Sequence, residues 1–344
     1  MKIGNCDLNK QCMIIAEIGQ AHDGSLGTAY AYVDAVAETG ADAIKFQTHF
    51  AGEESTPQDK FRIKFSKQDA TRYDYWKRME FSRQEWIDLA AYARAKGLIF
   101  LSTAFSIKAV EVLSEAQCPA WKVGSGDLLT FPLLDRMIEK GGPILLSTGM
   151  ASWKDIDEAF QYVSSRTNQL AMFQCTTEYP CLPEHWGLNN IARLRDRYNI
   201  PVGFSDHSGE IYSGLAAAVY GVSMLEVHVV FSKKCFGPDT KASLTIEELT
   251  TLADGVKKIR LAYEHPVEKD DLANRSKEIR QLFSRSVVAA RDLPKGHILT
   301  MNDLAFKKPN LGTDSKFYKE FLDKKLTTDV EADEYLSEEQ LREK

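Results

Sequence analysis

The chain has 344 residues, 44% of them hydrophobic and 27% charged, with a formal net charge of −6 at pH 7. That length exceeds one ordinary hydrophobic core and predicts a large domain plus a small one, while the acidic balance and the lack of any dense Lys/Arg tract exclude a nucleic-acid-binding surface. No stretch approaches the ~20 apolar residues of a membrane helix, residues 1–15 are too weakly apolar for a signal peptide, and the six scattered cysteines form no Cys-x-x-Cys pair, so a cytoplasmic protein with reduced thiols and no membrane association is expected.

From Cys12 onward a short apolar run is repeatedly followed by an amphipathic stretch. The runs fall at 13–16, 43–46, 98–101, 120–123, 144–146, 170–173, 202–204 and 224–227. Helical periodicity separates them, as at 26–39, 83–96, 107–116, 133–140 and 153–165. Such alternation predicts parallel β/α architecture, and about eight units in roughly 250 residues fit a closed (β/α)8 barrel. A doubly wound open sheet is the competing architecture, but it normally places its ligand at one switch point. Here polar residues follow nearly every run: Glu17, then Lys45 with Gln47, Thr103, Lys122 with Ser125 and Asp127, Ser147, Thr176 with Thr177, Ser205 with His207, and Glu226 with His228. A ring of polar groups at the carboxyl ends of all the strands is what a barrel active site needs.

Residues 49–81 form a long charged and aromatic connection that includes Arg62, Lys64, Arg72, Tyr73, Tyr75 and Trp76; loops of that length usually cover a site or a partner. The barrel is expected to occupy 1–264. Residues 265–281 read as a charged, helix-poor linker, and 282–344 as a second domain that opens on a strand-like run at 285–290 and a turn at 292–296.

His207 and His228 follow successive late strands, a placement that suits a divalent metal held by two imidazoles with positions open to substrate. His22, His49, His185, His265 and His297 lack such pairing; His22 and His49 are expected at most behind the ligands. Lys45 and Lys122 interrupt apolar runs, and a buried ammonium needs an anion, either a structural carboxylate or a bound phosphate or carboxylate. With Thr103, Ser125, Ser147, Thr176, Thr177 and Ser205 nearby in strand order, they describe a cleft for a small, doubly anionic ligand. Glu17, Asp127, Glu226 and Asp239 supply carboxylates for proton relay or sugar hydroxyls, although pairing with lysine is the simpler role for Glu226. Neither a dinucleotide glycine fingerprint nor a Gly-x-Ser-x-Gly elbow is present.

Eight collinear motifs resemble those of the sialic acid (nonulosonic acid) synthases. They are Ala16-Glu17-Ile18-Gly19-Gln20-Ala21-His22-Asp23-Gly24, Lys45-Phe46-Gln47-Thr48-His49, Lys122-Val123-Gly124-Ser125-Gly126-Asp127, Leu146-Ser147-Thr148-Gly149-Met150, Cys175-Thr176-Thr177-Glu178-Tyr179-Pro180, Phe204-Ser205-Asp206-His207-Ser208, Leu225-Glu226-Val227-His228 and Gly237-Pro238-Asp239. The tail is similar to the antifreeze-like (SAF) domain of those enzymes. The resemblance implies condensation of phosphoenolpyruvate with an acylamino-sugar aldehyde, in a homodimer whose small domains cover the partner barrels. It also implies a divalent metal on His207 and His228, usually manganese, with magnesium or cobalt as alternatives. Lys45, Thr103, Lys122, Ser125, Ser147 and Ser205 would hold phosphoenolpyruvate, and Glu17, Gln47, Tyr179 and Asp239 the open-chain sugar.

Three positions depart from the family pattern. Asp127 stands where Glu is frequent, Thr177 where some members have Asn, and Lys308 where the covering domain usually offers Arg to the sugar; Lys keeps the charge without the planar fork. The sugar is therefore left open between N-acetylmannosamine and a diacetamido-trideoxyhexose. Two other readings compete: a barrel aldolase or ketoacid-phosphate synthase acting on a shorter sugar, and a non-catalytic sugar- or ice-binding protein.

Overall fold

Each apolar run becomes a strand because alternate side chains have two different apolar environments to enter. A computed structural model of the chain describes residues 1–61 and 63–342; Arg62 of the aromatic connection and residues 343–344 at the end of the second domain lie outside the described residues. The strands are β1 (Met13–Gly19), β2 (Ala43–Thr48), β3 (Ile99–Ala104), β4 (Trp121–Val123), β5 (Ile144–Ser147), β6 (Leu170–Cys175), β7 (Val202–Asp206) and β8 (Met224–Val229). All neighbours are parallel, and β8 pairs with both β7 and β1, so the sheet closes into the expected barrel. Its outer layer is α1 (Leu26–Ala37), α2 (Arg83–Ala95), α3 (Ile107–Glu115), α4 (Phe131–Lys140), α5 (Trp153–Ser164), α6 (Asn189–Tyr198), α7 (Ile211–Val219) and α8 (Ile246–Glu264). Helix starts are written in the sequence: Ser82 with Glu85, and Ser152 with Asp155, form capping boxes at α2 and α5. No described helix is long and apolar enough to cross a membrane.

The period of two positions the site. Ile14, Ala16, Ile44 and Phe46 join the large cluster beneath the helices, whereas Met13, Ile15, Ala43, Leu101, Phe173 and Met224 meet inside the barrel. The same inward rows continue toward the carboxyl ends as Glu17, Lys45, Thr103, Lys122, Ser147, Cys175, Ser205, Glu226 and His228, all lining one cavity. The amino end is closed by a hairpin, Lys2–Ile3 paired with Cys6–Asp7, that adds Ile3, Cys6 and Leu8 to the inner cluster. Gly203 takes an inward position where a Cβ would lie 2.7 Å from the Phe173 ring.

Two expectations are corrected. The connection after β2 contains helices Ala51–Glu54 and Arg72–Met79, the second nucleated by a Thr71–Asp74 capping box. The linker is not helix-poor: Lys269–Arg275 and Lys277–Phe283 are helices that bury none of their residues, so no apolar period betrays them in the sequence. The chain divides into compact units Met1–Glu264 and His265–Lys344. In the second, β9 (Ser286–Ala289) pairs antiparallel with β10 (Leu304–Lys307), and β11 (Lys325–Leu326) with β12 (Leu341–Arg342). Val287, Leu299, Phe321, Val330 and Leu336 form its core.

Candidate active site

A cavity of about 540 Å3 opens at the carboxyl ends of the strands. Its floor is an ion cluster built from inward positions of β1, β2, β4 and β8. Lys45 Nζ lies 2.8 Å from Glu17 and 3.6 Å from Glu226, while Lys122 Nζ lies 3.2 Å from Glu226. Lys45 also donates to Thr103 Oγ1 at 3.1 Å and Lys122 to Ser147 Oγ at 2.8 Å. Ser205 Oγ donates to Glu226 Oε1 at 3.3 Å. Burial opposes charge on Lys45, but Glu17 and Glu226 outweigh it and push the ammonium above its ordinary range. Burial likewise pushes the Glu226 carboxyl up, and Lys122 and Lys45, then His228, more than reverse it. Glu226 is thus the hub joining both lysines, as its simpler reading supposed.

Beside this floor stands the imidazole pair, His207 and His228, with ring centroids 5.4 Å apart. His207 Nδ1 donates to the Thr176 carbonyl at 2.7 Å, which leaves the Nε2 lone pair directed at Tyr179 Oη, 3.1 Å away. Burial first, then the neighbouring His228, pushes the His207 imidazole down to about 3, so it is neutral at physiological pH. A neutral ring with a fixed tautomer is the donor a divalent metal takes. The buried Glu226 Oε2, which accepts no hydrogen bond, adds an oxygen acceptor to the same cavity. Among the described residues no group of three or more His, Cys, Asp or Glu side chains stands where it could hold a metal ion.

A hydroxyl cradle completes the anion side. The Gly149 amide donates to Ser125 Oγ at 3.0 Å, and Ser125 Oγ lies 3.4 Å from Cys175 Sγ. A Cβ at Gly149 would meet Thr177 Oγ1 at 2.4 Å and Ser125 Oγ at 2.8 Å, so only glycine lets these groups converge. Glu17 accepts from Gln47 Nε2 at 2.7 Å, and Tyr179, Asp239 and Asp127 stand around the rim. Burial, with Glu54 adding to it, pushes the Asp127 carboxyl up.

Nearly all the residues singled out in the sequence line this cavity. Thr176 is a correction: its hydroxyl donates to the His185 carbonyl at 2.7 Å, and its own carbonyl orients His207, so it positions a ring rather than a substrate. Lys308 belongs to the second unit, where its ammonium lies over the Phe283 ring at 5.0 Å. His49 was undervalued by sequence reasoning. It lines the cavity, pairs with Glu54 at 2.7 Å and stacks on Trp76, a placement foreshadowed only by the aromatic content of the connection after β2.

An eight-stranded parallel barrel whose cavity, at the carboxyl ends of the strands, holds paired lysines on its floor and an imidazole pair beside them has the architecture of a barrel enzyme. The chain belongs to the NeuB family, whose model matches residues 32–268, and a SAF domain is matched at 284–342. It is 31% identical to the N,N'-diacetyllegionaminic acid synthase of Campylobacter jejuni subsp. jejuni over 96% of this chain and 100% of that one. It is 33% identical to the N-acetylneuraminate-9-phosphate synthase of Homo sapiens, over 95% of this chain and 92% of that one. A crystal structure of N-acetylneuraminic acid (sialic acid) synthetase from Leptospira borgpetersenii serovar Hardjo-bovis in complex with citrate superposes with a TM-score of 0.71, at 26% identity, over 82% of this chain and 96% of that one.

Proposed function

We propose that the protein is a nonulosonic acid synthase that condenses phosphoenolpyruvate with an open-chain N-acylamino-hexose. The observation that carries this reading is the pairing of Lys45 and Lys122 on the floor of a NeuB-family barrel, beside His207 and His228. Lys45 and Lys122, with the hydroxyls of Thr103, Ser125, Ser147 and Ser205, bind the phosphate and carboxylate of phosphoenolpyruvate through charge-assisted hydrogen bonds. Glu17, oriented by Gln47 and Lys45, and Asp239 hold the sugar and handle the proton that the aldehyde oxygen gains. C3 of phosphoenolpyruvate bonds to the aldehyde carbon, water adds at C2, and the C2–O bond to phosphate breaks, leaving a 3-deoxy-2-ketoacid and inorganic phosphate. His207 and His228 would hold a divalent metal, manganese in our reading, which as a Lewis acid supplies polarisation of the aldehyde.

The SAF domain, Lys308 within it, covers the barrel of a partner subunit in a homodimer, and the enzyme works in the cytoplasm. The SAF-domain match and the family resemblance support the first statement, and six free thiols the second. The test is incubation with phosphoenolpyruvate, manganese and acylamino-hexoses. Phosphate release with a product of the summed carbon skeleton is expected; turnover only with pentose or tetrose phosphates refutes the reading.

A further inference from the structure

Glu17 handles a proton in the proposed reaction, and a chain of side chains behind it, unused by the chemistry above, decides how it points. Glu17 Oε1 accepts from Gln47 Nε2 at 2.7 Å. An amide offers an oxygen and a nitrogen of nearly equal shape, so a half-turn of Gln47 would set its oxygen against the carboxylate, acceptor facing acceptor. Gln20 opposes that half-turn, because its Nε2 donates to Gln47 Oε1. The Gln20 amide is set in its turn by His49, whose Nε2 lies 3.0 Å from Gln20 Nε2.

His49 governs the chain because its surroundings select one tautomer. Nδ1 stands 2.7 Å from the carboxylate oxygen Glu54 Oε1, which can only accept, so Nδ1 carries the hydrogen. Nε2 is then a lone pair and takes the second hydrogen of the Gln20 amide; a hydrogen on Nε2 would collide with that same group. Gln47 Oε1, 3.3 Å from Nε2, is a second acceptor, and the Gln20 NH2 group serves both. The ring is buried and stacked between Trp76 at 4.1 Å and Phe105 at 4.6 Å. Glu54 ends the short helix Ala51–Glu54 that opens the connection after β2. Hydrogen bonds therefore run in one direction from Gln20: through His49 to Glu54 on one side, and through Gln47 to Glu17 on the other. Both ring nitrogens are engaged, so the imidazole exchanges no proton with the cavity. It fixes the direction of its neighbours.

Resting on the synthase reading of this same site, we propose that His49, held in one tautomer by Glu54, is a positioning residue for Glu17 and acts through Gln20 and Gln47. His49→Phe keeps a ring between Trp76 and Phe105 and removes both nitrogens. Steady-state kinetics of the full chain test this, with phosphoenolpyruvate, manganese and the acylamino-hexose that the parent turns over. His49→Phe should lower kcat by about tenfold to a hundredfold, the cost of a slightly misplaced reacting group. The KM for phosphoenolpyruvate, held on the lysine floor, should stay within about twofold. Glu54 Oε2 makes no hydrogen bond among the described residues, so Glu54→Gln gives up none and keeps an oxygen for Nδ1. That variant should stay within about threefold of the parent, whereas Glu54→Ala should fall as far as His49→Phe. Gln20→Ala should match His49→Phe, and the double variant should be no worse than either single within about twofold, because both losses pass through the Gln47 amide. Nitrogen-15 NMR of histidine-labelled protein, the His49 signal being the one lost in His49→Phe, should place the hydrogen on Nδ1 with no substrate present.

The proposal is overturned if that hydrogen sits on Nε2, or if His49→Phe, shown folded by circular dichroism, keeps the parental kcat or loses only affinity for phosphoenolpyruvate. It is equally overturned if Glu54→Gln is as poor as Glu54→Ala, or if the losses of His49→Phe and Gln20→Ala multiply. Should His49→Phe fail to fold, the Glu54 pair and Gln20→Ala decide the matter. If the parent releases phosphate with no acylamino-hexose, the synthase reading itself falls and takes this inference with it.

Discussion

Two ammonium groups can share one buried floor only because Glu17 and Glu226 stand among them. Removing one partner of such a cluster leaves an uncompensated charge, which costs more than the pair contributes. Lys122→Met should therefore lower stability in urea unfolding by about 3 kcal/mol, and adding Glu226→Gln should recover at least half of that loss. In both variants the KM for phosphoenolpyruvate rises while that for the sugar stays within about twofold, the signature of lost binding on one substrate only. An unchanged phosphoenolpyruvate KM would remove Lys122 from the anion site. For the imidazole pair, chelator should abolish turnover and manganese restore it, and His207→Ala should fold with a normal urea midpoint yet stay inactive with manganese. Full activity of a metal-free preparation would refute the metal reading.

At the scale of elements, the inward face of the barrel is graded: apolar near the amino ends of the strands and polar near their carboxyl ends. Gly203 leaves no room for a side chain in the apolar layer, with Phe173 at 2.7 Å and Met224 Cβ at 3.0 Å from the position of an added Cβ. Gly203→Ala should overpack it and cost about 1–3 kcal/mol in chemical denaturation. Because the site begins one layer higher, with Ser205 on the same strand and Lys122 lying 4.7 Å over the Phe173 ring, the same variant should also raise the phosphoenolpyruvate KM through displacement of Ser205 or Lys122. A variant as stable as the parent would mean that the layer relaxes freely. The amino-terminal hairpin belongs to the same layer, since Ile3, Cys6 and Leu8 close it from below.

For the whole molecule, the two units Met1–Glu264 and His265–Lys344 each have their own core, so the second can be altered without unfolding the first. If it covers a partner's barrel, Lys308→Ala should impair sugar use, and Glu17→Gln should be inactive on its own. Co-expressed with different tags and purified as a heterodimer, the two variants should recover part of the activity, because one site then holds both native residues. An inactive, verified heterodimer, with both parents inactive, would show that the covering domain does not act in trans.

The eight strand runs and the ring of polar residues after them were legible in the sequence because they rest on local periodicity and chain order. Eight ordered motifs pointed to the family for the same reason. Three things were decided only by tertiary structure. Closure of the sheet brought Glu226 on β8 to Lys122 on β4, a contact between residues far apart in the chain that no periodicity encodes. Thr176 looked like its neighbour Thr177, but its backbone turns the hydroxyl to His185 and the carbonyl to His207. The connection after β2 showed its aromatic content in the sequence, yet only packing against the barrel mouth turned Trp76 and Tyr75 into a wall of the cavity. The sequence alone determines which residues face inward; the closed barrel determines which of them meet.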